Sequence, residues 1–212
     1  MEDSASVCHV FSTIRNRRSV RAYAPNPVED WKLDMILEAA RLAPSSTNSQ
    51  PWRIIVVKDE QNRGILAKAT PNKIRQHPWI LQSPIVLILC ASKSTVQKIF
   101  QVVGKNYHLV DMGIVGDHIC LTAAELGLGT CWIGWCDKPK IKKAFHIPFM
   151  WEVVCLISLG YPLNTTQDQP LRKQIPPTEF SRQTPGEPGI GQIPARERFI
   201  REKIVFFETA RS

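Results

Sequence analysis

The chain has 212 residues, 43% of them hydrophobic and 22% charged, which suits one domain with appendages and excludes a mainly disordered, collagen-like or repeat protein. Twenty-seven basic against nineteen acidic residues leave a net charge of +8, so the surface field favours anions. The best apolar run, 84–91 (PIVLILCA), is of buried-strand length and argues against a membrane span.

The opening MEDSASVCHVF carries acidic residues where a signal peptide carries positive charge, so a cytoplasmic protein is expected. Val7, Val10, Phe11 and Ile14 recur at helical spacing and predict a first amphipathic helix ending in the basic stretch 15–21. Pro25-Asn26-Pro27 predicts a second helix with Asn26 as N-cap and Pro27 as its first residue. Its buried face would be Leu33, Ile36, Leu37 and Ala40, and Pro44 would stop it after Ala43. The following 44–51 (PSSTNSQP) is a loop dense in side-chain hydrogen-bonding groups.

Residues 54–57 and 84–91 read as buried strands, with a helix over 59–68 and a partly helical connector over 71–82. From Leu109 to Leu126 runs a long, nearly all-round apolar helix, a central element or an interface, with Gly127 as its cap. Next come a strand and turn over 129–135, a short basic helix through Phe145, and a strand over 153–159. Strands alternating with helices exclude an all-helical bundle. From about 164 the composition turns to Pro, Gln, Thr and Gly, and Phe199, Ile200, Ile204, Val205, Phe206 and Phe207 then return as an apolar patch. We therefore divide the chain into one domain over 1–180 and an arm over 181–212, which must dock on its own or a partner subunit.

The six cysteines fall mostly in apolar segments and are expected as free thiols. Cys131 and Cys136 have no second Cys/His pair at ligand spacing, so no metal site is expected. His118, on the apolar helix, reads as structural, and Trp132 and Trp135 either flank a cavity or pack against the strand end. Neither a Ser/His/Asp order, nor G-x-S-x-G, nor H-E-x-x-H occurs, and the glycines at 127, 129 and 134 do not make a dinucleotide fingerprint. These motifs therefore single out no acid, base or nucleophile among the side chains.

Two segments concentrate recognition chemistry. Arg17-Arg18-Ser19-Val20-Arg21 offers three guanidiniums and a hydroxyl suited to phosphate, carboxylate or an electron-rich heterocycle. The loop 45–50 supplies neutral amides and hydroxyls. In order, Arg-Arg-Ser-x-Arg-x-Tyr (17–23), Ala-Pro-Ser-Ser-x-Asn-x-Gln-Pro-Trp (43–52), Gly-Leu-Gly-Thr-Cys-Trp-Ile-Gly (127–134) and Leu-Gly-Tyr-Pro (159–162) resemble the nitroreductase family of flavoproteins over roughly residues 11–175.

The resemblance implies an α+β fold, a mixed sheet flanked by helices, in an intertwined homodimer with FMN at two intersubunit sites. It implies that Arg17, Arg18, Ser19 and Arg21 grip the flavin, and that Pro44, Ser45, Ser46 and Asn48 reach the ring from the other subunit. Ile133 and Gly134 would bring backbone amides to the ring edge, Arg172 and Lys173 would hold the phosphate, and Asn72 would contact the ring. Arg21, near the ring, would tune its potential. The implied activity is hydride transfer from NADH or NADPH through FMN to a nitroaromatic or quinone-like small molecule by a ping-pong mechanism. A different redox reaction on the same fold (dehalogenation, dehydrogenation or flavin fragmentation) stays open, as does a non-catalytic basic anion- or nucleic-acid-binding module. The latter is disfavoured because neither a reader helix nor stacking aromatics accompany the charge, so neither nucleic acid nor membrane is expected as a partner.

Overall fold

Three apolar segments, too continuous to show alternation because both of their faces are covered, form the middle of a five-stranded sheet. They are β1 (Trp52–Val57), β2 (Ile85–Ser92) and β4 (Trp151–Gly160), flanked by β3 (Gly129–Ile133) and β5 (Val205–Phe207). The computed structural model describes residues 9–70, 79–92, 106–163 and 201–208, and these belong to one compact unit. The strand order is β3-β4-β2-β1-β5. All neighbours pair antiparallel except β1 and β5, which are parallel, so the sheet is mixed and the fold α+β as expected.

Period-two alternation splits the core between the sheet's faces. Ile54, Leu87, Leu89 and Ile157 pack under α2 (Asp30–Leu42) and α5 (Tyr107–Glu125). Ile55, Val86, Ile88 and Leu156 face the other way, with Leu66 of α3 (Glu60–Lys68), Ile80 of α4 (Trp79–Gln82) and Ile141 of α6 (Lys138–Ala144). A register shift between Leu89 and Cys90 skips Val154, which keeps Cys155 and Val153 on their proper faces.

The ends of α5 and α3 follow their local chemistry. Gly127 adopts φ 75 just past α5, and the Leu128 and Gly127 amides donate back to the carbonyls of Ala123 (2.8 Å) and Ala124 (3.1 Å), a Schellman closure. Asp59 caps α3, its Oδ1 accepting the Asn62 amide at 2.9 Å.

The second helix begins later than the sequence predicts. It starts at Asp30 with Glu29 as N-cap, not at Pro27 after Asn26. Residues 22–24 are instead held alongside the chain at the end of β4. Ala24 donates to the Tyr161 carbonyl (2.9 Å), the Leu163 amide donates to Ala22 (3.0 Å), and Tyr23 bridges Pro162. The Glu29 carboxylate accepts the Tyr161 hydroxyl at 2.7 Å, and Lys32 Nζ donates to that hydroxyl at 2.6 Å, so the carboxylate is used across the fold rather than as a cap.

Of the C-terminal apolar patch, Ile204 and Val205 are buried and β5 lies along β1 of the same chain; Phe199 and Ile200 lie outside the described residues. Ile54 donates to the Ile204 carbonyl (2.6 Å), and the Glu208 carboxylate receives the amides of Lys58 (2.7 Å) and Asp59 (3.2 Å) at the start of α3.

Tyr23 anchors the segment that leaves α1 (His9–Asn16). It is buried, its hydroxyl lies 2.7 Å from Ser158 Oγ, and it donates to the Val20 carbonyl at 3.0 Å. Burial pushes its phenol far above the ordinary tyrosine value. Tyr23→Phe removes the bonds to Ser158 and to the Val20 carbonyl and should cost about 1–2 kcal/mol in urea unfolding; an unchanged midpoint would show the bonds to be replaceable.

Candidate functional site

The basic segment is fixed by the edge of β3. Ser19 bridges Thr130 in parallel and the Val20 amide donates to the Thr130 carbonyl at 2.9 Å, which sets out the side chains of 17–21 along one strand. The close approach depends on Gly129, where a Cβ would stand 2.5 Å from Val20 Cγ2. Arg18 Nη1 donates to the carbonyls of Arg15 (2.7 Å) and Arg17 (3.0 Å), closing the last turn of α1. Arg21 lies over the Trp79 ring at 5.8 Å, with Nη1 3.5 Å from the Ser19 carbonyl. Burial raises the Cys131 thiol above its ordinary value, and the Arg21 guanidinium beside it pulls in the opposite direction. Ile133 is buried, whereas Gly134 is exposed with open space where a side chain would stand.

Two further expectations resolve here. Trp132 packs against α5, its indole over Gly116 and its Nε1–H donating to Cys120 Sγ at 3.1 Å, while its other side stays exposed. His118 is engaged within its own helix, with Nδ1 3.0 Å from the Ile114 carbonyl. The described cysteines, 90, 120, 131, 136 and 155, are free thiols.

The second segment is a strained loop. Ser46–Asn48 form a single 3₁₀ turn, and Thr47 (φ 54), Asn48 (φ 55) and Gln50 (φ 44) all sit in left-handed space. For the β-branched Thr47 that conformation is costly. The Gln50 amide donates to Ser45 Oγ (2.9 Å), the Asn48 amide to the Ser45 carbonyl (3.0 Å), and Arg53 Nη1 to the Gln50 carbonyl (3.2 Å). From outside, Asp111 Oδ1 accepts the Ser46 amide at 2.8 Å. Pro44, at the loop's entrance, is exposed.

Asp111 is absent from the sequence-derived site. Its only cue was a carboxylate three residues from His108 on an apolar helix, and both are buried. Burial raises the Asp111 carboxyl, while the Ser46 amide, His108 and Ser49 act to lower it. His108 Nε2 in turn lies 3.4 Å from Glu152 Oε2 of β4.

Thus Arg17, Arg18, Ser19 and Arg21 share the β3 edge with Ile133 and Gly134, and Pro44, Ser45, Ser46 and Asn48 share the loop before β1. The loop bonds to Asp111 near the start of α5, whereas Thr13 of α1 hydrogen-bonds Glu125 at its far end, about 20 Å along the helix. Asn72, Arg172 and Lys173 lie outside the described residues.

No described helix is long and apolar enough to cross a membrane. Among known proteins, the chain is 32% identical over 169 residues to a putative NADH dehydrogenase/NAD(P)H nitroreductase of Methanothermobacter thermautotrophicus, covering 76% of this chain and 82% of that one. It is 32% identical over 175 residues to an FMN reductase [NAD(P)H] of Bacillus subtilis, covering 76% and 69%. The crystal structure of a nitroreductase family protein from Clostridium novyi NT superposes with a TM-score of 0.73 at 25% identity, covering 95% of this chain and 94% of that one. The sequence profile of the nitroreductase family matches residues 14–161. With the arginine segment, the polar loop and the β3–β4 edge all inside that span, the chain belongs to the nitroreductase family.

Proposed function

We propose that this protein is a cytoplasmic, homodimeric, FMN-dependent oxidoreductase that takes hydride from NADH or NADPH and reduces nitroaromatic or quinone-like small molecules in a ping-pong cycle. The observation that carries the reading is the guanidinium-rich segment held along the β3 edge within a nitroreductase-family chain. The relatives from B. subtilis and M. thermautotrophicus, named as an FMN reductase [NAD(P)H] and a putative NADH dehydrogenase/NAD(P)H nitroreductase, point the same way.

The residues fit the cofactor. Arg18, Ser19 and Arg21 are exposed beside one another, and Gly134 leaves open space at the strand end. The strained loop offers amides and hydroxyls without charge. In this reading Arg17, Arg18, Ser19 and Arg21 bind the flavin with charge-assisted donors. Ile133 and Gly134 present backbone amides to it, and Arg172 and Lys173 bind its phosphate. Pro44, Ser45, Ser46 and Asn48 approach from the partner copy, and Asn72 from the connector before α4. When bound, FMN supplies the hydride and electron transfer. The chain's own contribution is to hold donor and acceptor in one place in turn, which is catalysis by proximity and orientation.

The second copy answers an observation on the surface. Val10, Phe11 and Ile14 are left exposed on α1, and Tyr107, Leu109 and Val110 at the start of α5, apolar side chains that a partner would cover.

The test is an absorbance spectrum of the purified protein with FMN, before and after anaerobic NADH or NADPH. A bound flavin that bleaches with one of the nicotinamides and regains colour on adding a nitroaromatic or quinone is expected. A protein that takes up no flavin overturns the proposal, and one whose bound flavin neither nicotinamide bleaches overturns the assigned electron donor.

A further inference from the structure

We propose that Asp111 is a positioning residue, which sets the 45–50 loop for flavin binding by holding the backbone amide of Ser46. The proposal rests on the flavin reading above and adds to it a residue that lies beneath the loop.

Asp111 is 2% exposed, on a helix face otherwise made of residues such as Met112, Val115 and Ile119. Burying a carboxylate there is unfavourable, and an apolar side chain of similar size would serve packing better. The carboxylate is instead turned on the loop, where Oδ1 accepts the Ser46 amide at 2.8 Å and the Ser49 side chain also favours its charged form. Its other oxygen, Oδ2, is buried with no hydrogen-bond partner. A buried acid with one oxygen unsatisfied adds little to stability, so its value lies in where it places the Ser46 amide.

That partner needs placing. Three non-glycine residues of the loop, Thr47, Asn48 and Gln50, hold left-handed φ angles, a state that persists only where surrounding contacts over-determine it. Ser45 closes the loop from within and Arg53 holds its C-terminal end. The Ser46 amide bond ties its N-terminal end to α5. Behind Asp111, His108 one turn earlier pairs with Glu152, which braces this stretch of α5 against β4. The loop is thereby held in one geometry before any ligand arrives, which lowers the ordering cost of binding.

The test uses the full chain, stripped of flavin and titrated with FMN, alongside hydrogen exchange of the Ser46 amide. Asp111→Ala should weaken FMN binding roughly tenfold or more and remove protection of that amide. Asp111→Asn keeps an acceptor at Oδ1 and should restore both to within about threefold of the parent. Should Asp111→Ala fail to fold, Ser46→Pro decides. It deletes the amide while suiting the extended Ser45 before it (φ −143, ψ 155), and it should bind FMN far more weakly than Ser46→Ala, which keeps the amide. Asp111→Ala or Ser46→Pro binding FMN as tightly as the parent overturns the proposal, as does a Ser46 amide equally protected in the parent and in Asp111→Ala. A parent chain that binds no FMN overturns the flavin reading and the cofactor half of this proposal, while exchange at Ser46 still decides whether Asp111 sets the loop.

Discussion

Gly129→Ala is expected to melt several degrees below the parent and to bind FMN more weakly. The new methyl would stand 2.5 Å from Cγ2 and 2.7 Å from Cβ of Val20. Those atoms sit close to the backbone that Thr130 holds, so the clash cannot be relieved by swinging a long side chain aside. Overpacking of this kind costs about 1–3 kcal/mol, which for a chain of this size lowers Tm by about 5 °C. The strain falls on the bond between Val20 and Thr130, so the arginine segment shifts away from β3, and flavin affinity should fall with the melting temperature. Combining Gly129→Ala with Val20→Ala removes the two opposing methyls but leaves Cβ at 2.7 Å, so it should recover part of both losses, a coupling expected only of groups in contact. Calorimetry and FMN titration of the two single variants and the double variant check it. Additive losses would show that the effect of residue 129 does not run through Val20.

Arg21→Ala is expected to lower the reduction potential of bound flavin. In the proposed site this guanidinium stands near the ring and favours the negative charge that builds up on reduction. For a two-electron couple, a tenfold change in equilibrium is about 30 mV, and removing one such charge should produce a shift on that order. Arg21 also stacks over Trp79, so Arg21→Lys, which keeps the charge but not the planar stack, separates the two effects. If charge dominates, the lysine variant stays near the parent potential and the alanine variant falls. Equilibrium titration against a reference dye gives the answer, and an unchanged potential in Arg21→Ala would remove the role assigned to this residue.

Much of the fold was legible because its strongest signals are local. Residues 54–57 of β1, 85–91 of β2 and 153–157 of β4 are unbroken apolar runs since helices cover both faces of the sheet. Asp59 and Gly127 carry cap chemistry that needs no distant partner. The start of α2 misled for the opposite reason. Pro25-Asn26-Pro27 has the local marks of a helix start, but Tyr161, Pro162 and Leu163, far along the chain, hold residues 22–24 extended. Local preference yields when a long-range partner offers backbone bonds.

The site divides in the same way. The arginine segment and polar loop stood out by composition, because recognition groups cluster there within a few residues. Asp111 did not, since a single carboxylate in an apolar helix takes its meaning from an amide 65 positions away. Nor could spacing reveal that Thr130 of β3 would hold the arginine segment, which follows only from a bridge across more than a hundred residues.

The parallel pairing of β1 with β5 bears on the order of assembly. Ile54 pairs with Val205, so one flank of the most apolar part of the sheet waits for a stretch made roughly 150 residues later, the kind of distant closure that slows folding. Until it arrives, nascent β1 offers its open side to any passing strand, and misassembly during synthesis should begin there.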